Sequence, residues 1–390
     1  MKICDLTQFY SPVSGGVRRY VEQKVAYLRK HRPDCEHILV IPGDKTGHTG
    51  DETSRVYTIS SPLVSRTSRY RVLLKLHLVE EVLEKEKPDI IESGDPYQLA
   101  WKAIASGRAL DIPVVGFYHS HFPEAVLRSV AKHFGPLAVA IAEDAGRRYV
   151  KTLYNHLERT LVPSPVLGRL LRRWGVDNVE SIDLGVDTDI FYPSDAPAEP
   201  LRRELGIPDN TKLLLYVGRL ASEKNVRTMF DAFELLHKRS PGKFHLLAVG
   251  DGVQRPHLLK LQEATGSVTW QQYCSDPERL ASLYRMADVF VHPGIQETFG
   301  LVTLESQASG TPVVGIKGSY MDRIIFSDQH HWARENAPAS LADAIESTFS
   351  ADLREMGLAA SAAAHGRYSW KTVFERIFGI YEDVIAEYRP

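Results

Sequence analysis

The chain has 390 residues, 43% of them hydrophobic and 25% charged, with a formal net charge of −2. That length accommodates two domains, each with its own core. The near-neutral balance excludes nucleic acid as the main partner, because binding a phosphate backbone needs a clear positive excess.

The first elements alternate. Lys2–Leu6 reads as a short strand rather than a signal peptide, because Asp5 interrupts any apolar leader. The loop Tyr10-Ser11-Pro12-Val13-Ser14-Gly15-Gly16 follows, then a helix from about Val17 with Val17, Tyr20, Val21, Val25 and Leu28 at helical spacing. Ile38–Ile41 is the next strand, closed by Pro42-Gly43. Ile90-Ile91-Glu92 and Pro113–Tyr118 are further strands, the latter ending at His119-Ser120-His121. Strands alternating with amphipathic helices predict a parallel sheet covered on both faces.

After about residue 185 the pattern restarts. Gly185-Val186-Asp187-Thr188-Asp189-Ile190-Phe191 leads into the Pro- and Ala-rich stretch Pro193–Pro200, which reads as a surface connection. Lys212–Val217 is an apolar strand, followed by Gly218-Arg219-Leu220, Lys224-Asn225 and a helix carrying Val226, Met229, Phe230 and Phe233. His245–Val249 is a strand closed by Gly250-Asp251-Gly252, and Val289–Val291 is another, ending at His292-Pro293. The last helix runs from Trp370 to about Glu387. Cys4, Cys35 and Cys274 are far apart and odd in number, so they form neither a metal-ligand spacing nor a disulfide framework, which suits a reducing cytoplasm. No apolar run approaches the roughly 18 residues that a spanning helix needs.

The richest stretch is Gln296-Glu297-Thr298-Phe299-Gly300-Leu301-Val302-Thr303-Leu304-Glu305. A strand, a polar loop and then a helix N-terminus is where an open α/β sheet binds phosphorylated ligands, because unpaired backbone N–H groups point at the anion. Glu297 lies in the loop and can meet a sugar; Glu305, expected about two turns down the helix, can accept from a diol such as ribose. Arg219 and Lys224 share one strand-end loop and can both reach a diphosphate, the Arg as a fork and the Lys as a point charge. Gly15-Gly16 lets backbone approach a ligand at a positive helix end. His119 follows an apolar strand directly, with His121 its rival.

The spacing E-x7-E around Phe-Gly-Leu resembles the nucleotide-sugar signature of retaining glycosyltransferases of family 4, which have the GT-B fold. Tyr10-Ser11-Pro12…Gly15-Gly16-Val17 and Val217-Gly218-Arg219-Leu220-x-x-x-Lys224-Asn225 resemble the same family. The resemblance covers most of the chain and is strongest between about Leu213 and Gly318. It implies an α/β protein with two Rossmann-like doubly wound domains facing a central cleft. Residues 1–188 would bind acceptor, 189–368 would bind donor, and the helix 369–390 would cross back to the first domain.

The resemblance also implies roles. Arg219 and Lys224 would hold the diphosphate, Glu297 and the backbone of Thr298, Phe299, Gly300 and Leu301 the sugar, and Glu305 the ribose. Gly218, Gly250 and Tyr273 would lie along the nucleotide, while His119, Gly15 and Gly16 would approach from the other domain as the cleft closes. The expected reaction moves a hexose from a UDP- or GDP-linked donor to a hydroxyl of a lipid or glycan by same-face substitution, the leaving diphosphate accepting the proton. No cofactor and no metal is implied, as the chain has no D-x-D motif in a donor-site context. Asp187 and Asp189 would shape the hinge. The sequence departs from the family at Ser319-Tyr320-Met321-Asp322, where many members have a Gly-rich, Pro-Glu turn.

Two basic segments, Leu63–His77 and Arg169 to Arg173, suit either surface elements or contact with an anionic membrane. The expected location is therefore cytoplasmic, with peripheral attachment at the inner face as a variant. Three other readings compete: a GT-B nucleotide-sugar epimerase or disaccharide phosphorylase, a non-catalytic nucleotide-sugar binding protein, and a dehydrogenase. The last lacks its glycine fingerprint.

Overall fold

A computed structural model of the chain describes residues 1–10, 16–64, 70–119, 136–295, 297, 299–319 and 321–388. It divides into two compact units, Met1–Leu184 joined by the terminal helix Trp370–Tyr388, and Gly185–Ser369.

In the first unit β1 (Lys2–Leu6), β2 (Glu36–Gly43), β3 (Gly47–Gly50), β4 (Ser54–Ser60), β5 (Ile90–Ser93), β6 (Val114–Phe117), β7 (Arg159–Val162) and β8 (Val179–Ser181) form one sheet in the order β3-β4-β2-β1-β5-β6-β7-β8. All neighbours are parallel except β3, which runs antiparallel along the edge of β4. The second unit holds β9 (Lys212–Val217), β10 (Phe244–Val249), β11 (Val268–Gln271), β12 (Val289–Val291) and β13 (Val313–Val314), all parallel, in the order β11-β10-β9-β12-β13.

In the second unit the central strands are largely apolar, as expected where helices cover both sheet faces. Every residue of β10 is buried, as are Leu213, Leu214 and Leu215 of β9. In the second unit Phe230 and Phe233, from the helix Val226–Arg239, pack into that core, and each fully buried aromatic contributes roughly 1.5–3 kcal/mol. The terminal helix buries Val373, Phe374, Ile377, Phe378, Tyr381 and Val384 on one face. Its Phe374 and Phe378 rings lie 5.4 Å from Tyr27 of the helix Gly16–His31, all within the first unit.

Each strand order reverses once, at β1/β5 in the first unit and at β9/β12 in the second. In open α/β sheets the crevice outside the strand C-termini at such a reversal is the ligand site. The chain therefore offers one such position in each unit.

Candidate functional site

In the second unit, β9 ends at Val217 and β12 at Val291. The loops leaving them carry Arg219, Lys224, His292 and Glu297. Gly250 has φ +141°, and a Cβ there would stand 1.9 Å from the Gly218 carbonyl oxygen. Only a glycine therefore lets the loop after β10 lie against the loop after β9. The backbones are laced there: Gly218 donates to Val249, and Leu220 to Asp251.

A short 3-10 turn, Ser222–Lys224, carries Lys224 to the loop after β12, where its Nζ forms an ion pair with Glu297 Oε2. Both side chains keep some exposure, 27% and 18%, so the pair can still meet a ligand. Arg219 is far more exposed, at 66%, and its Nη2 lies 3.2 Å from Glu223 Oε1. Asn225, in the left-handed region at φ 57°, ends the turn. Its amide donates to the Pro293 carbonyl at 2.8 Å and to Asn336 Oδ1 at 2.7 Å, tying the two loops together. Tyr216, buried beneath them, donates to the Arg219 carbonyl at 3.0 Å. Burial, reinforced by the Glu297 charge, holds its phenol far above the ordinary range.

Gly300, at φ 86°, opens the helix Leu301–Ala308, and a Cβ there would meet Met321 Sδ at 2.4 Å. The departing segment after Gly318 thus packs directly under the motif. Because the helix begins only at Leu301, Glu305 stands about one turn into it rather than the two expected from sequence. Glu305 is buried, and its Oε2 accepts from Tyr284 Oη at 3.2 Å. Phe299 is buried as well, with the Arg323 guanidinium 5.0 Å above its ring, so only its backbone can serve a ligand. Leu301, at the helix N-terminus, is half-buried.

Tyr273 is 61% exposed after β11, and Gln272 reaches Asp251 Oδ2 at 3.3 Å. Asp251 also pairs with Arg255 at 3.0 Å, and Trp270 Nε1 donates to the Gly250 carbonyl at 2.7 Å. Thr298 lies outside the described residues, as do Gly15 and His121.

His292, like His119, directly follows an apolar strand, and that is the sequence signal by which it can be found. It follows β12 directly, is buried, and its Nδ1 lies 3.2 Å from Thr303 Oγ1. Its buried Nε2 has no partner among the described residues. Burial, aided by Lys224 and opposed by Glu297, pushes its pKa down to about 4, so the ring is neutral.

In the first unit, His119 follows β6. Its half-buried ring stacks on Phe117 at 4.2 Å and meets Tyr20 edge-on at 5.0 Å. Burial, reinforced by the Lys24 charge, pushes its pKa down to about 3. Gly16 begins the adjacent helix, is exposed, and has open space where a Cβ would stand. Of the basic segments, Arg71 is held by Asp44 and by the Ser61 carbonyl, and Arg172 by the Val179 carbonyl. Leu73 is in the core, and Arg66 and Arg69 lie outside the described residues. Asp187 caps its own turn, its Oδ1 accepting from the Asp189 amide at 3.1 Å.

Residues 14–190 match the model for "Glycosyltransferase Family 4", and residues 197–364 that for "Glycosyl transferases group 1". A GDP-mannose-dependent alpha-mannosyltransferase of Corynebacterium glutamicum is 31% identical over 81% of this chain and 72% of its own length. The chain belongs to glycosyltransferase family 4. A GDP-mannose-dependent alpha-(1-6)-phosphatidylinositol dimannoside mannosyltransferase of Mycobacterium tuberculosis is 29% identical to this glycosyltransferase, over 90% of the chain and 88% of that protein. Sucrose-phosphate synthase of Thermosynechococcus elongatus superposes with a TM-score of 0.78 at 20% identity, each chain covered to 99%. The glycosyltransferase has the GT-B fold, with a parallel sheet in the second unit and a mainly parallel one in the first. Among the described residues no helix is long and apolar enough to cross a membrane, and no group of His, Cys, Asp or Glu side chains is arranged to hold a metal ion.

Proposed function

We propose that this glycosyltransferase transfers a mannosyl group from GDP-mannose, with retention of anomeric configuration, to a hydroxyl of a lipid-linked acceptor. The observation that carries the nucleotide-sugar part is the Lys224–Glu297 pair at the β9/β12 reversal, with the exposed Arg219 on the same strand-end loop. A cation and a carboxylate held side by side suit a ligand that is anionic at its diphosphate and rich in hydroxyls at its sugar. Mannose, the guanine base and the lipid are supported by the names of the two mannosyltransferase relatives.

In this reading Arg219 and Lys224 take the diphosphate and offset the charge that builds on it as the glycosidic bond breaks. Glu297 and the backbone at Phe299, Gly300 and Leu301 hold sugar hydroxyls, and Thr298 is assigned the same role. Glu305, oriented by Tyr284, accepts from the ribose diol. The loops of Gly218, Gly250 and Tyr273 frame the nucleotide. In the first unit, neutral His119 is suited to hydrogen-bond a sugar hydroxyl, and Gly15-Gly16 to admit a ligand near the helix start. The leaving diphosphate takes the acceptor proton on the same face, so positioning and charge stabilisation are what the protein supplies; no metal or cofactor has a role. Exposed Leu63, Val64 and Leu74 give the first unit an apolar surface compatible with a lipid-linked acceptor at a membrane face.

A thermal-shift panel of GDP, UDP, ADP, GDP-mannose and UDP-glucose tests the donor, because a ligand bound only by the native state raises the melting temperature. GDP and GDP-mannose should give the largest shifts. A larger shift with the uridine compounds would replace the base assignment, and no shift with any compound would remove the nucleotide-sugar reading.

A further inference from the structure

The first unit buries a polar cluster that the proposed chemistry does not use. Asp5 and Glu92 are register partners on the adjacent strands β1 and β5, so both carboxylates project from the same face of the sheet. Lys24, fully buried, lies 2.9 Å from Asp5 Oδ1 and 3.0 Å from Glu92 Oε1. Its Nζ also donates to Tyr381 Oη at 3.1 Å. Tyr381, from the terminal helix, donates in turn to Glu92 Oε2. Tyr20 donates to the same oxygen at 3.0 Å. His37 completes the set, 2.9 Å from Asp5 Oδ2.

Such a cluster is expensive to bury, and apolar residues of similar volume would commonly be as stable. What it does geometrically is fix Tyr20. The Tyr20 hydroxyl is anchored on Glu92 while its ring forms one wall of the His119 site, the stacked Phe117 ring forming the other. Trp370 and Phe374 of the terminal helix press on Tyr20 from 6.2 and 5.7 Å. A small cavity lined by Asp5, Thr7, Val17, Glu92, Gly94 and His119 runs from the cluster to the imidazole. Cluster, tyrosine and histidine are therefore one packed unit.

We infer that Glu92, clamped by Lys24 and Tyr381, is a positioning residue that sets the His119 ring through Tyr20, and that the terminal helix thereby takes part in the reaction. The functional consequence rests on the reading of His119 as a sugar-contacting group. Stacked on the Phe117 face and met edge-on by Tyr20, the His119 ring is restricted in how it can tilt. Releasing Tyr20 lets the ring rotate, so contact with the donor sugar is lost in the transition state more than in the ground state.

The test uses the full chain with Tyr381→Phe, which removes only a hydroxyl, and Glu92→Gln, which keeps shape and one acceptor oxygen, as a second variant should the first not fold. His119 ring resonances are assigned by comparison with His119→Ala, and steady-state transfer is measured with GDP-mannose. The expected result is a folded variant with shifted His119 resonances, kcat reduced about ten-fold and donor KM within about two-fold of wild type. A lowered melting temperature with unchanged His119 resonances and unchanged kcat would overturn the inference and leave the cluster a matter of stability alone. Shifted resonances in a Tyr381→Phe protein, with a fully active His119→Ala enzyme, would uphold the positioning and remove instead the sugar-contact reading.

Discussion

Lys224 and Glu297 are 73 residues apart in sequence and form an ion pair where the strand order of the second sheet reverses. The pair joins the turn after β9 to the loop after β12, and Asn225 reinforces the same junction through the Pro293 carbonyl. Cation and carboxylate thus sit on two strand-end loops that are tied to each other by the ion pair and by Asn225.

Removing either cation should cost catalysis more than stability. Lys224→Ala and Arg219→Ala are each expected to lower kcat by about 10²–10³, the usual consequence of losing one preorganised partner of a developing negative charge. Arg219 is mostly exposed and its recorded pairing is an i,i+4 contact with Glu223, so its removal should change unfolding free energy by no more than about 0.5 kcal/mol. Steady-state kinetics beside a denaturant titration checks both halves.

Glu305 should act on nucleotide affinity. Its carboxylate is buried and oriented by Tyr284, and a hydrogen bond to a charged group is worth about 1.5–3 kcal/mol. Glu305→Gln is therefore expected to weaken GDP binding by about 10- to 100-fold in calorimetry. An unchanged affinity would remove its ribose role.

Gly250→Ala should damage the scaffold of the site. The new Cβ would stand 1.9 Å from the Gly218 carbonyl oxygen, at a backbone angle that L side chains rarely adopt. A loss of about 3 kcal/mol in unfolding free energy is expected, together with weaker nucleotide binding. Gly16→Ala, with open space around it, should leave stability nearly unchanged.

The buried histidines predict a pH dependence of stability. His292 and His245 titrate near 4 in the folded chain against an ordinary value of 6.5, chiefly because burial disfavours the cation. Between those values the unfolded chain binds more protons at these two sites, so their contribution to stability falls as pH drops from about 6.5 to about 4 and levels off below. Each contributes on the order of 3 kcal/mol across that window. His245→Gln, which can keep the hydrogen bond to Thr269, should flatten the dependence measured by denaturant unfolding at a series of pH values.

Much of this was legible in the sequence, for local reasons. Runs such as Leu213-Leu214-Leu215 are apolar because both sheet faces are covered, and a run of that kind can be read without partners. Arg219, Lys224 and Glu297 were legible because each follows such a strand within a few residues. The depth of Glu305 was misjudged, since Gly300 places the helix start at Leu301 and no periodicity marks that boundary. The Asp5–Lys24–Glu92–Tyr381 cluster was not legible at all. It depends on the parallel register that pairs Asp5 with Glu92 and on a helix 357 positions beyond Lys24. His292 carries the same strand-end signal as His119, but its burial and its unpartnered Nε2 depend on the tertiary packing and cannot be read from the sequence.

The most direct test of the central claim is turnover of GDP-mannose with a mannose-bearing glycolipid acceptor, following GDP release and the anomeric configuration of the product by nuclear magnetic resonance. The account predicts GDP release that depends on acceptor, an α-linked product from the α-linked donor, and loss of both in Lys224→Ala. A β-linked product, or turnover undiminished in Lys224→Ala, would contradict it.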